Sequence, residues 1–272
     1  MTLAASYHAG RGGFGVAPGV VRHAEVMIRR PLLLALAAAL PLLVTGCGSA
    51  PQKSPPTGVD GLRIPTSSAD PDDFVEGIDN PYLPLEPGSR WVYRSAAIDA
   101  GTTTVTVTGD TREVQGVTTT VVHDVVRDAD GRLVEDTFDW FAQDAAGNVW
   151  EFGEDTTEFD ERGRPDHSGS WEAGVDGARA GLAMPAQPRV GDGYQQESAP
   201  GQAEDRAEVL SVDESVNVEF GSFTDVVQTE DTSPLEPGLV EHKYYAPGVG
   251  LVLEQTVLGG AERLELVAYD GG

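Results

Sequence analysis

Asp124 and Asp136 are the residues whose types and spacing come nearest to chemistry. Between them lies Asp128-Ala129-Asp130-Gly131, which reads as a type I hairpin turn with its glycine in the left-handed position. If Asp128 pairs with Arg132, then Val122 faces Phe138, Val126 faces Val134, and Asp124 faces Asp136. Like charges directly opposite destabilise a strand pair. Relief would come from a bound cation, a nearby arginine, a raised pKa or solvent exposure at the sheet's end. Two carboxyls also equip an acidic hydrolase, although nothing around them marks a sugar platform. The histidines outside the N-terminal leader, His123, His167 and His242, stand at neither His-x-His nor His-Glu-x-x-His spacing. Asp128-x-Asp130-Gly131 fails as a calcium loop, because Val126 and Thr137 stand where that spacing needs acids. The chain has no Gly-x-Ser-x-Gly elbow, and no phosphate-binding glycine motif follows a strand. The expectation is therefore no catalytic residue, no cofactor and no metal. Trp91, Trp140, Trp150, Trp171, Phe138 and Phe152 either line a ligand cavity or form ordinary core, and in the hairpin register Trp140 faces Phe152.

One further residue has chemistry of its own. Cys47 is the chain's single cysteine. Ahead of it run Arg29 and Arg30, then a 13-residue apolar stretch from Leu32 to Val44, then Thr45 and Gly46. A spanning helix needs roughly 20 apolar residues, so this run is too short to remain as one. Positive charge, apolar run and small residues in that order are the parts of an export signal with its cleavage site. Val44-Thr45-Gly46-Cys47 resembles the lipobox of bacterial lipoproteins. The resemblance implies that the Cys47 thiol carries a diacylglyceryl group and that cleavage makes Cys47 the new N-terminus. Arg29-Arg30 also weakly fits a twin-arginine signal, but the ordinary secretory route is the expected one. Residues 1–26 read as a mis-assigned start, with Met27 the initiator, or as an extended n-region. Residues 27–46 are the signal peptide, and 47–79 the lipidated cysteine with a Pro/Ser-rich linker. The all-β domain is 80–272.

Charge narrows the partners. The whole chain carries a net charge of −26. Without the leader's four arginines and one glutamate, 14 basic and 43 acidic side chains remain, a net charge of −29. Such a surface repels nucleic acid and anionic headgroups. No other long apolar run follows, so the membrane is expected as a partner only through lipid on Cys47. The other expected partner is a hydrophobic ligand or a component of the cell envelope. With no second cysteine the fold rests on burial alone.

Downstream of the linker the pattern is of strands. Gly88 to Tyr93 and the alternating Thr102 to Thr108 come first, then the β-branched run Val117 to Arg127. Asp128–Gly131, Asp144–Gly147 and Asp160–Gly163 recur every 16 residues and join strands at 117–127, 132–144, 148–160 and 164–172. Gly174 to Arg189 reads as a loop or broken helix over one end of the sheet. Strands resume over 194–197, 204–216, 223–230, 239–246, 251–257 and 263–269. The expectation is an antiparallel meander of about 11–12 strands forming a curled sheet or β-barrel, with a β-sandwich as the alternative.

Asn80-Pro81-Tyr82-Leu83-Pro84-Leu85, with Pro87 to Tyr93, resembles the opening of a family of uncharacterised exported bacterial β-proteins. Lys243-Tyr244-Tyr245-Ala246-Pro247-Gly248-Val249-Gly250-Leu251-Val252 is similar to that family's closing hairpin. The resemblance covers about 80–270 and implies a fold without an activity. Three functions follow as expectations: a membrane-anchored, non-catalytic binding or envelope-associated domain, whose ligand enters an apolar barrel mouth covered by 174–189; an acidic hydrolase using Asp124 and Asp136; and a purely structural surface protein.

Overall fold

Period-two stretches of Val, Thr and aromatic residues pair into one antiparallel sheet. The computed structural model describes residues 70–95 and 101–272; the expected signal peptide, Cys47 and the linker to residue 69 lie outside them. A 3-10 turn, Pro71–Asp73, leads into β1 (Phe74–Val75). Then follow β2 (Arg90–Ser95), β3 (Thr102–Val114), β4 (Val117–Arg127), β5 (Leu133–Asp144), β6 (Val149–Phe159), β7 (Pro165–Asp166), β8 (Trp171–Glu172) and β9 (Gly181–Met184). The second half holds β10 (Gly193–Gln195), β11 (Arg206–Asn217), β12 (Ser222–Thr232), β13 (Val240–Ala246), β14 (Gly250–Leu258) and β15 (Arg263–Asp270). The spatial order is β10-β11-β12-β13-β14-β15-β2-β3-β4-β5-β6-β7. β1 adds to β5, and β8 and β9 add to β6. Each hairpin places a strand beside its predecessor, and β15 returns to pair with β2.

The three Asp-x-x-Gly turns are alike. In each, the Asp N–H donates to the carbonyl four residues on, and the Gly N–H donates back to the Asp carbonyl. Gly131, Gly147 and Gly163 all have positive φ, as that turn requires. The Asp160 carboxylate accepts from the Arg162 and Arg164 backbone N–H groups and from the Arg164 guanidinium. The Arg164 bonds hold its pKa down to about 2. These acids are turn residues with their acceptors filled.

Three expectations need correction. The sheet is not closed into a barrel. No ladder joins its two ends, because β10 stops after three residues; there Arg179 bridges Ser198 and Gly181 packs against the Gln196 carbonyl. The 164–172 strand is two short pieces, split by a turn in which the Ser170 N–H donates to the His167 carbonyl. Residues 174–189 are no lid: Gly181–Met184 is a strand on β6 with all four residues buried. Four residues are too few for period two to show in sequence.

Two bulges set which side chains share a face. On β5 an extra residue, Val134, separates the Arg127–Leu133 pair from the Val126–Glu135 pair. On β6 an extra residue lies between the Asp139–Glu154 and Phe141–Glu151 pairs. A one-residue slip turns side chains to the other face.

The apolar part of the interior is aromatic and β-branched, with Trp91, Tyr93, Phe141, Phe152 and Tyr245 almost wholly buried. Their polar ends are partnered where they reach the backbone: Trp91 Nε1 donates to the Val249 carbonyl and Tyr93 OH to that of Leu251. The opening segment is tied down through Asn80, whose side chain donates to the Gly147 and Pro185 carbonyls.

Candidate functional site: a carboxyl-lined sheet face

Residues paired across strands share a face, so the register gives the rows directly. One row runs Val105, Asp124, Thr137, Thr156. The rows on either side are Val107, Val122, Asp139, Glu154 and Thr103, Val126, Glu135, Glu158. The β6 bulge adds Glu151, which pairs with Phe141 and lies on the face of Glu154 although three residues away. Without the bulge, side chains three apart on a strand point to opposite sides. From the other end of the sheet, Glu197 reaches the electrostatic neighbourhood of both Glu151 and Glu154. Its approach depends on Gly181, where a Cβ would lie 1.9 Å from the Gln196 carbonyl oxygen.

The same face continues through β2 and β15 to β14, β13 and β12, where Lys243 sits with Asp231 and Glu254. Lys243 Nζ is 3.2 Å from Asp231 Oδ2 and 3.8 Å from Glu254 Oε2. The Thr229 hydroxyl donates to Asp231 Oδ1 at 2.6 Å. Burial alone would lower the Lys243 pKa, but Asp231 and Glu254 outweigh it and hold the ammonium well above its usual range.

Elsewhere on the face burial raises the carboxyls' pKa values. Burial pushes Glu135 up to about 8 and Asp139 up to about 7. Burial, then the charges of Glu135, Asp139 and Glu254, drives Asp124 well above the ordinary carboxyl range. Glu151 and Glu154 are raised well above it too, by burial first and then by Glu197. Some oxygens are satisfied within the rows: Glu135 Oε1 accepts from the Thr137 hydroxyl at 3.0 Å. Glu151 is not. It is 0 % exposed, and neither of its oxygens accepts a hydrogen bond. Burying a polar group unpaired costs roughly 2–7 kcal/mol.

The bulge that makes this arrangement rests on Gly153. Its φ is +137°, and a Cβ there would lie 2.3 Å from the Trp171 carbonyl oxygen and 2.9 Å from Glu172 Cα. Backbone strain and overpacking then add, so Gly153→Ala should lower unfolding free energy by about 2–4 kcal/mol. The midpoint of urea unfolding checks this, and an unchanged midpoint would mean the bulge tolerates a side chain.

The expected Asp124–Asp136 pair does not form. The Val134 bulge pairs Asp124 with Thr137 and Val125 with Asp136, so the two carboxyls point to opposite faces. Asp124 is buried, while Asp136 is partly exposed and 2.6 Å from His123 Nε2. His123 stacks on Phe138, ring centroids 4.2 Å apart. His167 Nδ1 is 3.0 Å from the Thr157 hydroxyl, and His242 lies on β13 beside Gln228 and Glu230. Among the described residues no three of His, Asp and Glu stand as metal ligands would. The aromatic residues are largely core. Trp91 stacks on Tyr269, Arg112 lies over the Trp140 ring, and Phe152 meets Phe74 edge-on. Trp140 lies opposite Val121 and so turns away from the Asp124 face, against the hairpin-register expectation. Sequence reasoning missed Glu135, Asp139, Glu151, Glu154 and Lys243. The available signal was Lys243 itself, one of two lysines in the chain, set in an aromatic strand.

No protein-family model matches the chain, and no curated protein matches it. Two crystal structures are similar to it. One, from Bacteroides fragilis NCTC 9343, is described as an exported protein with a YmcC-like fold; at 15% identity the likeness covers 70% of this chain and 99% of that one, with a TM-score of 0.41. The other, from Parabacteroides distasonis ATCC 8503, is described as a lipoprotein; it is 12% identical, over 70% of this chain and 98% of that one, with a TM-score of 0.38. At these scores neither likeness bears on what this chain does.

Proposed function

We propose that this chain is a lipid-anchored, extracytoplasmic binding module without catalysis, held at the cell membrane through Cys47 and receiving a ligand on the carboxyl-lined face. Glu151 carries the binding part of the reading: a carboxyl buried to 0 % exposure with neither oxygen hydrogen-bonded is a group in want of a partner. The anchoring part rests on Arg29-Arg30, the apolar run and the lipobox-like Val44–Cys47. The hydrolase reading loses its support, since Asp124 and Asp136 stand on opposite faces. Polar rather than apolar lining shifts the ligand class away from the hydrophobic molecule that the sequence suggested.

Native mass spectrometry of the purified protein tests binding, with a co-purified small molecule as the expected result. A protein that carries none and binds none would instead be a structural envelope component. Anchoring has its own test. Cys47→Ser should move the protein from the membrane to the soluble fraction and abolish labelling by radioactive palmitate. A Ser variant that stays on the membrane, with no label in the wild type, would overturn it. One acyl chain binds membranes only marginally, so full retention of the wild type also requires the second chain that the resemblance implies.

A further inference from the structure

Resting on the reading of this face as a ligand site, we propose that its ligand presents primary ammonium groups on a flexible chain, as a linear polyamine or a lysine side chain does. The face already holds one such group. The Lys243 ammonium is 3.2 Å from one carboxyl and 3.8 Å from another, buried with both. Further along the same face Asp124, Asp139, Glu151 and Glu154 are as deeply buried. Glu151 supplies the second observation, because its two oxygens accept no hydrogen bond.

The geometry also selects the kind of cation. A metal ion needs several oxygens converging on one point, and among the described residues no three acidic or histidine side chains do so. These carboxyls follow one another across β4, β5 and β6, where neighbouring strands are about 4.8 Å apart. Donors spread along a chain suit that spacing. A guanidinium is a rigid fork matched to both oxygens of one carboxylate, whereas an ammonium is compact with three rotatable donors. Lys243 contacts one oxygen from each of two carboxyls, which is the ammonium pattern.

Calorimetric titration of the purified full-length protein tests this with four probes: 1,4-diaminobutane, acetyl-Gly-Lys-Gly-amide, tetramethylammonium and calcium. Saturable binding of the diamine or the lysine peptide is the expected result, and which of the two binds tells a free amine from a protein side chain. Glu151→Gln should weaken that binding at least tenfold, and Glu154→Gln should do the same if the first variant folds poorly. Glu208→Gln, exposed on β11 with its side chain on the other face, should leave it unchanged. Tetramethylammonium binding as tightly as the diamine, or calcium binding alone, would overturn the ammonium proposal and leave the binding module standing. Amine binding indifferent to Glu151 and Glu154 would also overturn it, by moving the amine to another surface. If no probe binds and nothing co-purifies, both readings fall together.

Discussion

Replacing Lys243 with methionine should lower the unfolding free energy by about 3–5 kcal/mol, the usual cost of removing one partner from a buried ion pair. Methionine fills most of the stem's volume, so the loss isolates the charge. Lys243 is 2 % exposed, and Asp231 and Glu254 are nearly as buried. Asp231 keeps its bond from Thr229, but its other oxygen loses the ammonium. Neither Asp231 Oδ2 nor Glu254 Oε2 has a hydrogen bond even in the intact protein, so their relation to Lys243 is one of charge, at 3.2 and 3.8 Å. Removing the cation leaves both carboxyls to take up protons or admit water. Lys243→Met combined with Asp231→Asn and Glu254→Gln should therefore recover much of the loss, since a pair replaced on both sides is often neutral. Urea unfolding of the single and triple variants measures this. A single variant within 1 kcal/mol of wild type would mean that solvent already screens the pair.

The strands were legible because their chemistry is local. Thr102 to Thr108 alternates, and the three Asp-x-x-Gly turns fix where β4, β5 and β6 begin and end; those turns formed with the expected hydrogen bonds. What sequence could not carry was the register beyond each turn. Asp128 and Arg132 pair as expected, yet Val134 is an extra residue, and from Glu135 onward every pairing on β5 is displaced by one. A bulge adds no residue type that marks it, because Val134 suits a regular strand as well as a bulged one. That one displacement separated Asp124 from Asp136. The second bulge had a visible sign in Gly153, a glycine inside a strand pattern. Reading it would have put Glu151 and Glu154 on one side of the sheet. β9 escaped notice because Ala-rich, four-residue segments lack a period. Glu197 was unreadable for a different reason: its approach to β6 comes from the two sheet ends meeting, a contact between residues far apart in the chain.

Stability should fall as pH rises from about 4 to 8, which is the second large effect. Glu135 and Asp139 are pushed by burial to about 8 and 7. In the unfolded chain such groups titrate near 4. Between these values the native protein holds protons that the unfolded chain has released, so the unfolding free energy decreases with pH. Stability from these groups is therefore full below about pH 4 and lost as pH climbs through 7 to 8. Each group contributes up to about 1.4 kcal/mol per pH unit while the two states differ by a whole proton. Even partial realisation should lower Tm by on the order of 10 °C between pH 5 and 8. Repulsion among the surface carboxylates has the same sign, but it is spread over the molecule and salt screens it. Buried carboxyls respond to neither dilution nor 0.5 M salt in that way. Glu135→Gln removes one of the titrating groups and keeps the shape, so it should make the profile shallower at high salt, while Glu208→Gln should not. A Tm that stays level or rises from pH 5 to 8 would mean the carboxyls are ionised in place. An ammonium ligand should flatten the wild-type profile as well, since a bound cation does for these groups what the protons otherwise do.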